Sequence, residues 1–105
     1  MLPREIRSLQ EFNQVISTPE KLIIVEFVSK TCTSCIMMKL VLEKFSLEYQ
    51  DKLEIYTIDI DTTPIAEHDA TTMTPTFLFY KNGAEIIELI GADPAGVKKI
   101  IASNT

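Results

Sequence analysis

Leu22-Ile23-Ile24-Val25-Glu26-Phe27-Val28-Ser29-Lys30-Thr31-Cys32-Thr33-Ser34-Cys35 runs from an apolar strand straight into a pair of thiols. Residues 21–29 carry six apolar side chains in nine positions, most of them β-branched or aromatic. That is the composition of a strand covered on both faces. The two cysteines follow at its C-terminal end. Residues 37–49 then read as a long helix, with Met38, Val41, Leu42 and Phe45 at helical spacing. A second buried strand covers 53–60. Strand, helix and strand in this order require parallel strands and a right-handed crossover.

Upstream, residues 4–8 suit a short edge strand. Ser8 with Glu11 forms a capping box that opens a helix, with Leu9, Phe12 and Ile16 on one face. Pro19 ends the turn after it. Downstream, 62–70 reads as a short helix. Thr76–Lys81 is a strand, Asn82-Gly83 a hairpin turn, and Ala84–Ile90 its antiparallel partner. A last helix opens with Asp93 as N-cap and Pro94 at the first helical position, its apolar face made by Val97, Ile100 and Ile101. The order β-α-β-α-β-α-β-β-α predicts an α/β fold: a mixed, twisted sheet of about five strands with helices on both faces. No linker or repeat interrupts it, so residues 1–105 are expected to form one domain.

At 46% apolar residues over 105 positions the chain buries a core without disulfide staples. Its net charge of −5 argues against nucleic acid, which needs a basic face, and fits a monomer. The longest apolar stretch, 22–25, is far too short to cross a membrane. No long apolar run stands near the N-terminus, so a cytoplasmic location is expected.

In a chain that folds without staples, a C-x-x-C pair is redox-active or half of a metal site. Thiol exchange needs a thiolate, and a free thiol is mostly protonated at neutral pH. Cys32, at the junction of strand and helix, meets the partial positive charge and unpaired N–H groups of a helix N-terminus. Cys35, one turn on, is placed to attack a mixed disulfide formed at Cys32. The metal alternative lacks ligands within one chain: two cysteines and one histidine, His68, fall short of four. A metal or cluster bridging two chains stays open.

Glu26 is the one charge inside the apolar run. Strand alternation puts it on one face with Val28, and Val25 and Phe27 on the other. A buried carboxyl titrates high and can take and return the proton of Cys35. Alternatively it reaches an edge, or pairs with a lysine such as Lys39. Pro75 opens a strand where proline removes a ladder bond; a cis bond or an ordinary trans start both fit. His68 lies in a polar stretch and reads as a surface residue. Met37 and Met38 read as core packing. Ile36 reads as either core filling or an exposed partner contact.

With V-E-F-V-S-K-T-C-T-S-C at 25–35, I-D-I-D at 58–61, T-P-T-F-L-F-Y-K-N-G at 74–83 and I-G-A-D at 90–93, the chain resembles the thioredoxin family over nearly its whole length. The resemblance implies the thioredoxin fold and a dithiol–disulfide oxidoreductase. Cys32 would be the nucleophile and Cys35 the resolving thiol. Glu26 stands where the family has a buried aspartate. Pro75 would be a cis proline, with Thr74 bonding the substrate chain. Gly91 would lie in the loop flanking the substrate groove. Disulfide-containing proteins would be the substrates, an upstream disulfide reductase would recycle the pair, and no cofactor is expected.

The departures are local. Thr31 replaces the tryptophan that shields the site in the family, Ser34 the spacer proline, Leu40 a helix-kinking proline, and Thr57 a lysine often found near the buried acid. Ser34 restores an N–H and a hydroxyl beside Cys32, which implies a potential more oxidising than is usual in the family. An adaptor or inter-chain metal-binding module is the competing class. An intact thiol pair favours the enzyme.

Overall fold

Leu22–Val28, Leu53–Asp59 and Thr76–Lys81 are the three strands whose side chains are mostly buried, and they stand side by side. The computed structural model describes residues 3–63 and 73–105. In chain order its elements are β1 (Arg4–Glu5), α1 (Leu9–Ile16), β2 (Leu22–Val28), α2 (Thr33–Glu48), β3 (Leu53–Asp59), β4 (Thr76–Lys81), β5 (Ala84–Ile90) and α3 (Pro94–Asn104). The expected helix at 62–70 and His68 lie outside the described residues, apart from the turn at 62–63.

The sheet runs β1-β3-β2-β4-β5. β1, β3 and β2 are parallel, while β4 pairs antiparallel with both β2 and β5. The Asn82-Gly83 turn has positive φ at both residues, 54° and 84°, as a two-residue hairpin requires. The predicted limits of β4 and β5 are those observed.

Strand alternation splits the interior into two cores. Ile23, Val25 and Phe27 of β2 pack with Tyr56, Ile58, Leu78 and Tyr80 against Phe12 and Val15 of α1. Leu22 and Ile24 pack with Ile55, Phe77 and Phe79 against Met38, Leu42 and Phe45 of α2, and Val97 and Ile101 of α3. Each such side chain contributes roughly 1.5–3 kcal/mol, and Met38, Leu42 and Phe45 anchor α2 on the sheet. The same alternation sends Glu26 to the α2 side.

Three expectations change. On α1, Leu9 is exposed and Val15 takes the buried place beside Phe12. On α2, Met38 is fully buried but Met37 is exposed, because neighbours on a helix point about 100° apart. α2 also begins at Thr33, not 37. The Ser8 cap holds, with its Oγ accepting from the Glu11 N–H; the Glu11 carboxylate, however, accepts from the Arg7 N–H, one residue before the expected partner.

Candidate active site

α2 is capped by a sulfur. Cys32 is its N-cap residue, and its Sγ accepts the Cys35 backbone N–H at 3.1 Å. Helices leave their first N–H groups without internal partners, and an anion there is stabilised by these donors and by the helix dipole. Cys35 lies one turn further in and is buried, whereas Cys32 is half-exposed. The two sulfurs are joined here as a disulfide, with 5.3 Å between the Cα atoms. Among the described residues no group of three or more metal-ligating side chains gathers anywhere.

The Ser34 hydroxyl lies 3.7 Å from Cys32 Sγ in the disulfide, close to where reduction would leave the thiolate. Bonds made to the thiolate favour the reduced form. Ser34→Ala should therefore make the Cys32–Cys35 couple more reducing by about 20 mV, for a weakened charge-assisted bond of about 1 kcal/mol. Equilibration with glutathione buffers measures this; an unchanged or more oxidising potential would mean that the hydroxyl does not reach the thiolate.

Beneath the disulfide a cleft of about 390 Å³ runs between β2, β3 and α2, lined by Cys32, Cys35, Glu26, Ile36, Lys39 and Thr57 among others. Glu26 forms its floor and is only 1% exposed. It is flanked across the sheet by Thr57 on β3 and Phe77 on β4, neither of which is a cation. Its Oε2 has no hydrogen-bond partner among the described residues. Burial pushes its carboxyl from the usual 4.5 up to about 8. The lysine alternative is not realised: Lys39 lines the same cleft but makes no ion pair with Glu26.

The residues expected on the substrate side come together through three loops. Cys32 N–H donates to Ser29 O at 3.2 Å, Ser29 Oγ meets Thr74 Oγ1 at 3.1 Å, and Gly91 N–H donates to Pro75 O at 2.8 Å. The Thr74–Pro75 bond is cis. Gly91 has φ +99°, a conformation that favours glycine. Thr31 is exposed beside Cys32, and Thr74 is half-buried. Ser29 was not among the residues expected at the site. Its signal in the sequence was a lone hydroxyl ending an apolar strand. The Lys30 N–H also donates to Asp61, tying this loop to the end of β3.

The family model described as Thioredoxin matches residues 5–103. The chain belongs to the thioredoxin family. Thioredoxin-2 of Saccharomyces cerevisiae is 34% identical over 101 residues, which is 95% of this chain and 96% of the relative. Among solved structures, oxidized mitochondrial thioredoxin 3 of the same yeast superposes with a TM-score of 0.86 at 30% identity, covering 96% of this chain and 94% of that one. Plasmodium falciparum thioredoxin gives 0.86 at 31% identity, with 97% and 99% covered. The fold is thus the thioredoxin fold. The chain is a thiol–disulfide oxidoreductase of the thioredoxin type, with its cysteine pair at disulfide distance.

Proposed function

We propose that Cys32 is the attacking thiol, Cys35 the resolving thiol and Glu26 the proton acceptor in reduction of protein disulfides. The Cys32 thiolate attacks one sulfur of the substrate. That S–S bond breaks, and the leaving sulfur takes up a proton from solvent. Cys35 then gives its proton to the Glu26 carboxylate through the cleft and attacks Cys32 Sγ. The second substrate sulfur leaves as a thiol with the proton that Glu26 returns, and the pair ends as the disulfide. Two electrons and two protons pass to the substrate in all, one proton from solvent and one from Cys35. The observation that carries this reading is the half-exposed N-cap sulfur bonded to the Cys35 N–H, with the second sulfur buried one turn behind it.

Thr31, Thr74, Pro75 and Gly91 form the groove for the substrate chain in this reading. Support comes from the bonds linking the Cys32, Thr74 and Gly91 loops. An upstream disulfide reductase returns the pair to dithiol. Residues 1–105 act as one domain, and the cytoplasm, with its reducing poise, is the compartment assigned. No helix among the described residues is long and apolar enough to cross a membrane.

Reduction of insulin by this protein, a thioredoxin reductase and NADPH tests the reading. NADPH consumption should require all three proteins and be catalytic in this one. Stoichiometric consumption, stopping after one equivalent, would overturn it. Fractionation into cytosol and mitochondria decides the compartment.

A further inference from the structure

α2 is apolar on two opposite sides. Met38, Leu42 and Phe45 face the sheet, while Ile36, Leu40 and Leu47 are 71%, 68% and 61% exposed. At about 100° per residue, positions 36, 40 and 47 fall within about 40° of one another, diametrically across from the buried three. The helix carries no proline between Thr33 and Glu48, so these three side chains share one straight face over about 16 Å, with Glu43 beside them. Large apolar side chains grouped on an exposed face mark a surface that meets a partner.

We propose that a second copy of this chain covers it, through an antiparallel pairing of α2 with α2 about a two-fold axis near residues 41–42. Such an interface must be self-complementary, and this helix is. With the axis there, Ile36 lies opposite Leu47 of the second copy, Leu40 meets its own counterpart, and Lys39 stands beside Glu43 across the interface, twice by symmetry. Lys39 and Glu43 are four apart on one helix, in the weaker lysine-first order. Neither makes an ion pair among the described residues. Across the two-fold axis each finds an opposite charge.

Net charge points to the same face. The chain carries −5, but the charged residues of α2 are Lys39, Glu43, Lys44 and Glu48, which sum to zero. This face therefore adds no net repulsion between two copies. A single helix pair covers less than the roughly 800 Å² per partner of a standard interface, so the association is weak and depends on concentration. Composition alone pointed to a monomer; the pattern along α2 does not. Because Ile36 also lines the cleft with Cys32 and Cys35, the second copy sits at the rim of the active site.

Sedimentation equilibrium of the oxidised protein, from about 10 μM to about 1 mM, tests the pairing. The average mass should climb from 11.9 kDa toward twice that value. Leu40→Glu, at an exposed position, should stay monomeric throughout. Lys39→Glu should weaken association about tenfold, and Lys39→Glu with Glu43→Lys should recover it to within about threefold. A wild type that stays at 11.9 kDa to the highest concentration overturns the proposal. So does a Leu40→Glu variant that associates as well as the parent. Failure of the double swap to recover what the single change lost overturns the register. A monomeric wild type whose insulin reduction is slowed by Leu40→Glu would assign the stripe to the substrate protein instead.

Discussion

Cys32→Ser should reduce insulin no faster than dithiothreitol alone, while Cys35→Ser should react once and stop as a mixed disulfide. The asymmetry follows from position on the helix. Cys32 holds the N-cap, where unpaired N–H groups and the dipole stabilise an anion, and its sulfur already accepts the Cys35 N–H at 3.1 Å. A serine hydroxyl there stays protonated and is a poor nucleophile toward sulfur. Removing Cys35 leaves the attacking group intact but takes away the thiol that displaces the substrate. The adduct should therefore accumulate to one equivalent, visible as a mass increase that dithiothreitol reverses. Both variants keep Met38, Leu42 and Phe45, which dock α2 on the sheet, so circular dichroism should be unchanged. Residual turnover by Cys32→Ser, or an adduct on Cys35 in that variant, would reverse the two roles.

Glu26→Gln should make the fold more stable above pH 8 and slow resolution of the mixed disulfide. Burial pushes the folded carboxyl up to about 8, against 4.5 when solvated, and its Oε2 has no hydrogen-bond partner among the described residues. Folding therefore favours its acid form. Below pH 4.5 both folded and unfolded chains are protonated there and the group carries no penalty. Between 4.5 and about 8 the unfolded chain loses its proton first, and stability falls as pH rises. Above about 8 both states are ionised and the penalty is constant, at most about 5 kcal/mol. Because the cleft admits water, about 2–3 kcal/mol is the expected gain in Glu26→Gln. Urea unfolding at pH 4 and pH 9 measures it, and an equal difference at the two would show that Glu26 ionises freely. Single-turnover kinetics should show the release step slowed about a hundredfold, the low end of general acid–base effects, with the first attack little changed. Equal slowing of both steps would mean that Glu26 acts only through structure.

Much of this was legible in the chain because local chemistry and global packing agree. The hairpin limits followed from Asn82-Gly83, and α3 from Asp93 and Pro94. The place of the cysteines followed from an apolar strand running into a helix. α2 started earlier than its apolar period because its cap is a cysteine sulfur, not an ordinary capping side chain, and Thr33 and Ser34 are weak helix formers. Leu9 and Met37 were misjudged because periodicity names a stripe, whereas which edge of the stripe meets the core depends on tertiary packing. The Ser29–Thr74 contact joins residues 45 apart, and no local pattern encodes it. The cis bond before Pro75 came from the family resemblance alone. That Glu26 Oε2 lacks a partner among the described residues could only be seen once Thr57 and Phe77 stood beside it.

The disulfide spans a separation of three residues. A ring so small removes little freedom from an unfolded chain: about 2 kcal/mol on the loop-entropy scale, against about 4.7 for a hundred-residue loop. It joins no two strands and ties no loop to the sheet. Opening it leaves the two cores of β2, β3 and β4 with α1, α2 and α3 untouched. A protein that broke a long-range staple at each turnover would loosen each time and offer itself to proteases. Here the bond that wears is a clasp within one turn of helix, and the scaffold outlasts any number of its openings.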